Sequence, residues 1–333
     1  MKKFFCLFFS LTMIFTLGSC AVDHKDDSSS TDPALAEKTA VNIAVLKGPT
    51  GMGAAFLMKK NEESEAANKY TFSIENTPDA ITGQLVSGAL DIAAIPTNLA
   101  AVIQNKSGVN IKIIAVNTLG VLYLLEKGDS ISKISDLNGK KVITSGAGST
   151  AQVIIQKLFG NTSADITYAS EHAEAVTLAV SGSYDICILP EPFVTTLLSK
   201  NIGYKIALDL TREWEDSGLG VLPMGCLVAR TDFIEKNPAT IESFLTEYAS
   251  SVEYANTNTL DASAIIEKYG IMPAAIAKTA IPGCNMVCIT GNEMKSAVKG
   301  FYNVINGFNT TLIGGELPSD DIFYFSKLRG DLG

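Results

Sequence analysis

Histidine is almost absent from this chain. Two occur in 333 residues, His24 and His172, too few for most histidine-based triads or zinc sites. Tryptophan occurs once, at Trp214. Positive charge is in deficit: 26 Lys and Arg stand against 35 Asp and Glu, a formal charge of −9. Nucleic-acid binding draws on a basic surface, so no nucleic-acid partner is expected. There is no serine elbow, no pair of catalytic carboxylates and no Walker motif, so no cofactor is expected. What the chain does have is apolar mass. Hydrophobic residues make up 47% and charged residues only 18%, a composition that builds a sizeable core. The length suits about two domains or lobes.

The first residues read as an address. Lys2 and Lys3 precede an apolar stretch from Phe4 to Leu17, broken only by Ser10, Thr12 and Thr16. It is too short to span a membrane comfortably and reads as the core of a signal peptide. Leu17-Gly18-Ser19-Cys20 resembles the lipobox of bacterial lipoproteins, which makes Cys20 the lipidation site and residues 1–20 the leader. Residues 21–40 are small and acidic, without aromatics, and are expected to form a flexible tether that includes His24. Of the other cysteines, Cys187 and Cys226 sit in apolar runs and read as core thiols. Cys284 and Cys288 are near enough in sequence to form a disulfide outside the cytoplasm.

Strand-like runs alternate with helical ones from Val41 onward: 41–46, 70–75, 91–95, 111–116, 141–144, 166–168, 185–189 and 204–208. The alternation predicts βαβ units and an α/β fold with mixed, mostly parallel sheets flanked by helices. After about Asp232 the pattern becomes mainly helical. One internal repeat stands out. The segment Val86–Pro96 aligns without gaps on Val180–Pro190, with Val, Ser, Gly, Asp, Ile and Pro matching in register. Each copy reads as a helix end, a Gly turn, a short buried strand and a Pro that starts the next helix. Two lobes of similar design follow.

Ligands of open α/β sheets bind beyond the carboxyl ends of the strands. The repeat places Thr97 and Asn98 there in one copy and Glu191 in the other. Thr97 and Asn98 offer neutral hydrogen bonds. Glu191 offers a carboxylate to a nitrogen donor, or serves the helix it starts through the macrodipole. Gly146-Ala147-Gly148-Ser149-Thr150 falls between a strand and a helix, where free N–H groups suit a sulfonate, phosphate, carboxylate or nitrate oxygen. Gly146–Ala151 also fits G-x-G-x-x-A, but Asp165 begins a strand where a dinucleotide site has its acid at a strand end. The Gly48–Gly53 turn, with Pro49, Thr50 and Gly51, lines the cleft or simply connects, and a helix is predicted after it from Ala54. Trp214, among charged neighbours, is expected at a cleft rim, stacking on ligand, or as a half-exposed packing residue. His172, near Glu171 and Glu174, reads as a surface or capping residue.

Gly48-Pro49-Thr50, Ser87-Gly88-Ala89-Leu90-Asp91-Ile92-Ala93, Ile134-Ser135-Asp136-Leu137-Asn138-Gly139-Lys140-Lys141-Val142, Gly148-Ser149-Thr150 and Pro190-Glu191-Pro192 occur in this order behind the lipobox. Together they resemble the substrate-binding lipoproteins of ABC importers in the nitrate/sulfonate/taurine group, whose relatives bind thiamine pyrimidine precursors. The resemblance covers about residues 41–310. It implies a two-lobed periplasmic-binding-protein-like fold of type II with two chain crossings, one lobe from 41–118 plus 225–333 and the other from 119–224. It implies ligand contacts at Pro49, Thr50, Gly51, Thr97, Asn98, Asn117 near the first crossing, Gly148, Ser149, Thr150 and Glu191. No arginine stands at these positions. The cysteine-rich and histidine features of the related eukaryotic enzyme that makes a thiamine pyrimidine are absent. The resulting expectation is a monomeric, lipid-anchored, non-enzymatic protein on the outer face of a bacterial membrane. It would pass a small polar ligand to permease and ATPase subunits. The ligand classes in view are sulfonate, nitrate, amino-acid-like and pyrimidine-type. The alternatives are an exported enzyme on the same scaffold and a sensory lipoprotein.

Overall fold

The computed structural model describes residues 38–326. The expected leader, the lipidated Cys20 and the tether up to residue 37, with His24, lie outside the described residues. The tether was expected to reach residue 40, but Lys38 is already held, its Nζ donating to the Ser64 and Ala66 carbonyls at 2.8 and 2.6 Å. The first part of the chain alternates strand and helix: β1 (Ala40–Leu46), α1 (Pro49–Glu62), β2 (Lys69–Glu75), α2 (Pro78–Ser87), β3 (Ile92–Pro96), α3 (Thr97–Lys106) and β4 (Ile111–Thr118). After a first crossing come β5 (Leu122–Lys127), β6 (Lys141–Ser145), α4 (Thr150–Phe159), β7 (Asp165–Ala169), α5 (His172–Val180), β8 (Ile186–Pro190), α6 (Phe193–Leu198), β9 (Tyr204–Asp209) and α7 (Leu210–Asp216). A second crossing leads to β10 (Gly225–Arg230), α8 (Thr231–Lys236), α9 (Pro238–Thr257), α10 (Thr259–Lys268), α11 (Ala274–Ala280), β11 (Met286–Ile289) and α12 (Gly291–Asn306).

The strands form two sheets, ordered β11-β4-β10-β3-β1-β2 and β7-β6-β8-β5-β9. Apart from the added edge strand β11, the two follow one plan. β2-β1-β3-β10-β4 corresponds to β7-β6-β8-β5-β9, and the repeated segments supply the equivalent strands β3 and β8. In both copies a glycine makes the turn after the helix, Gly88 at φ +81° and Gly182 at φ +78°, a conformation that disfavours a side chain.

The sheets are mixed, as expected: four of the six strands of one and four of the five of the other run the same way. β1 pairs in parallel with β2 and β3, and β6 with β7 and β8. β10 is antiparallel to β3 and β4, β5 to β8 and β9, and β11 to β4. The reason lies in the crossings. β4 ends at Thr118 and the chain passes into β5 at Leu122, which pairs with Pro190 at the end of β8. Likewise β10 starts at Gly225, opposite Pro96 and Thr118. A strand that enters beside the carboxyl ends of its neighbours must run away from them.

One apolar cluster extends through both halves, joining Ile95, Ala100 and Phe301 to Leu122, Val153 and Trp214. A second fills the space among β1, α1 and α9, with Val41, Met52, Phe244 and Tyr248. A third packs α5 and α6 on β8 through Val176, Leu189 and Val194. Cys187 and Cys226 are core thiols, and burial pushes each up to about 12. Cys284 and Cys288 form no disulfide. Cys284 turns inward, its Sγ 3.9 Å from Met52 Sδ, while Cys288 lies near the Leu245 carbonyl.

Candidate functional site

The carboxyl ends of β1, β3, β6 and β8 converge on one gap. Its inner part is a cavity of about 110 Å³ walled by Leu46, Pro49, Ile95, Pro96, Val121, Pro190, Phe193 and Met224, with Lys47, Thr50, Thr118, His172 and Glu191 among the polar groups. A cavity of about 120 Å³ adjoins it and reaches Gly146, Ser149 and Thr150 at the start of α4. A wider one of about 680 Å³ adds Asp79, Ser145, Gly148, Ser170, Glu171 and Thr311. Pro96 and His172 line all three. These are dimensions for a small solute, and the inner walls are mainly apolar with a few polar groups, the usual make-up of a ligand pocket.

The residues singled out from sequence divide into two sets. Pro49, Thr50, Gly148, Ser149, Thr150 and Glu191 line the gap. Several of them already serve the chain itself. Helix α1 begins at Pro49, not at Ala54, because proline suits the first helical position and its missing N–H costs nothing there. The Thr50 hydroxyl donates to the Leu46 carbonyl and accepts from the Leu46 N–H at 3.0 Å. The anion cradle expected at the α4 start is largely filled. The Gly148 N–H donates to Gln152 Oε1 at 2.6 Å, and the Ala151 N–H to Ser149 Oγ at 3.2 Å. Glu191 accepts from the Thr195 N–H and hydroxyl at 3.1 and 3.0 Å. Burial raises its carboxyl above the usual range, and those two bonds oppose the rise.

The second set does not reach the gap. Thr97, Asn98 and Asn117 are fully buried, and Gly51 is buried against the Leu46 carbonyl, where a Cβ would come within 2.7 Å. The Tyr302 hydroxyl donates to the Thr97 carbonyl at 2.7 Å. Trp214, expected at a rim, is 0% exposed, its ring 5.8 Å from that of Phe301. The charged neighbours are misleading because α7 is amphipathic. Leu210 and Trp214 lie one turn apart on the buried face, and Arg212, Glu215 and Asp216 lie on the other.

Two residues that sequence reading passed over are central. Lys47 follows β1 directly and is the one cation lining these cavities among the described residues. His172 opens α5 at the carboxyl end of β7, the same strand-end rule that located the other candidates. Its Nδ1 is hydrogen-bonded to Ser145 Oγ, and its ring lies 5.0 Å from the Phe193 ring. Burial lowers its pKa to about 4, so the imidazole is neutral at physiological pH and serves as donor or acceptor, not as a cation.

A family model described as "Menaquinone biosynthesis" matches residues 53–305. The fold is similar to that of an ABC transporter protein from Parabacteroides distasonis, with TM-score 0.74 and 23% identity over 87% of this chain and 100% of that one. The periplasmic aliphatic sulphonate binding protein SsuA from Escherichia coli gives 0.67 at 16% identity, over 86% and 96%. The periplasmic nitrate-binding protein NrtA from Synechocystis gives 0.62 at 13%, over 83% and 84%. The shared architecture is two-lobed, with two mixed sheets flanked by helices. No curated protein sequence matches the chain.

Proposed function

The chain belongs to the family described as menaquinone biosynthesis, and from that premise we propose that it is an extracytoplasmic solute-binding protein that closes two lobes on a small molecule and delivers it to an ABC importer. The observation that carries this reading is the gap itself, where strand ends of both sheets meet around Lys47, His172 and Glu191. A ligand that touches both lobes favours the closed form by its differential affinity. We place the lobes at 41–118 plus 225–333 and at 119–224. In this reading Cys20 carries the lipid anchor, the protein acts as a monomer, and permease and ATPase subunits are its partners. Of the structural relatives named above, SsuA is by name an aliphatic sulphonate binding protein and NrtA a nitrate-binding protein. The apolar inner walls with one lysine favour an anion with an apolar body over nitrate, which has none. Cys20→Ala is expected to free the protein from membranes.

A second reading, an exported enzyme on the same scaffold, is favoured by the family description and by the Ser145–His172 pair beside the cavity. A nucleophile beside a base has the form of an activated serine, although the lowered pKa makes this imidazole a weak base. Thermal-shift screening against alkanesulfonates, aromatic carboxylates, nitrate, amino acids and pyrimidines tests binding. Mass spectrometry of each stabilising compound after incubation tests turnover. A binding protein returns the compound unchanged. Accumulation of a product overturns that reading in favour of the enzyme.

A further inference from the structure

The buried polar residues behind the gap form a bridge between the halves. Asn98, the second residue of α3, belongs to the six-stranded half. Its Nδ2 donates to the Gly148 carbonyl at 2.7 Å, beside the start of α4 in the five-stranded half, and to the Leu312 carbonyl at 3.1 Å. The Thr150 hydroxyl, at the start of α4, lies 3.1 Å from Asn98 Oδ1 and 3.0 Å from the Met224 carbonyl in the second crossing. The Met224 carbonyl also accepts the Thr97 N–H, at 3.2 Å. Thus the first residues of α3 in one half and of α4 in the other converge on one crossing residue. The Met224 side chain lines the gap, as does Thr150, whereas Asn98 is 0% exposed and does not.

We propose that Asn98 and Thr150 are positioning residues that hold the halves together, Asn98 through the Gly148 carbonyl and the Thr150 hydroxyl, and so set the resting balance between open and closed cleft before any ligand arrives. Thr150 has one hydroxyl proton for two acceptors, so it serves either Asn98, on the opposite side of the gap, or Met224 in the crossing between the halves. The amide of Asn98 has donors for two carbonyls and an acceptor for Thr150, a set that neither aspartate nor leucine reproduces. Opening the cleft on this side exposes these groups to water and breaks the bonds of Asn98 to Gly148 and Thr150, whereas its bond to Leu312 stays within its own half. A ligand against Met224 rests on the residue to which the bridge is tied. The consequence for affinity rests on the solute-binding reading; the bridge itself does not. If the open form is more populated, apparent affinity falls by the fraction lost from the closed form.

The test measures the radius of gyration of the ligand-free protein by small-angle X-ray scattering. It compares the parent with Asn98→Ala, Thr150→Val and Thr150→Ser, folding being checked by far-ultraviolet circular dichroism. Asn98→Ala and Thr150→Val are expected to raise the radius, and Thr150→Ser, which keeps the hydroxyl, to match the parent. A folded Thr150→Val with the parent's radius overturns the proposal, as does a Thr150→Ser that opens equally. If Asn98→Ala does not fold, the Thr150 pair alone decides. Propanesulfonate titration is the second arm. Opening without any binding to the parent leaves the bridge standing and counts against a sulfonate ligand.

Discussion

His172 lies between Ser145 and Phe193, and burial takes its pKa from 6.5 to about 4. Between those values the unfolded chain binds more protons than the folded one. The ring's contribution to stability is therefore complete above about 6.5 and is lost as pH falls toward 4. With only two histidines in the chain, proton NMR can follow both. The resonance of His172 is expected to titrate only near pH 4; its titration near 6.5 contradicts the burial account. Trp214 makes the complementary case. Its indole packs on Phe301 in the core shared by both halves. Trp214→Ala is expected to cost about 3–5 kcal/mol in urea unfolding, and Trp214→Phe clearly less. A loss near zero would return this residue to the surface. The sequence misled at Trp214 because charge was read along the chain, whereas the helix sorts it by face.

At the scale of elements, the strands and helices of the repeat were legible, because Gly turns and Pro starts punctuate both copies alike. β5 and β10 were not. Each is a short apolar run entered from a crossing, and each turns out to be the antiparallel strand inside its sheet. The start of α1 was also misplaced. Its glycines read as a break, but they are there for contact: a Cβ on Gly51 would meet the Leu46 carbonyl at 2.7 Å, and one on Gly53 the Tyr248 hydroxyl at 3.1 Å. Gly51→Ala should therefore destabilise by about 1–3 kcal/mol through overpacking, despite alanine's better helix propensity. A gain in thermal stability would show the turn to be slack. At α4, Ser149→Ala removes the acceptor of the Ala151 N–H and is expected to cost about 1 kcal/mol by chemical denaturation. No loss would mean that the cap is dispensable.

At the scale of the molecule, two lobes around a gap could be argued from the repeat alone, since equivalent strand ends must face a common space. The lining was harder to read. Lys47 and His172 come from distant parts of the chain and meet only when the sheets oppose each other. Conversely, Thr97 and Asn98 follow a strand end, as a ligand contact should, yet both are buried, the Thr97 N–H bonded to Met224 in the crossing and the Asn98 amide to Gly148, Leu312 and Thr150. The account now rests on an apolar gap with a single lysine. The most direct test is calorimetric titration of the parent and of Lys47→Gln with alkane- and arenesulfonates and aromatic carboxylates. At least one of these anions is predicted to bind the parent, and at least tenfold more weakly to Lys47→Gln, about 1.4 kcal/mol. Equal affinity in the two proteins, or no binding of any of these anions to the parent, would contradict it.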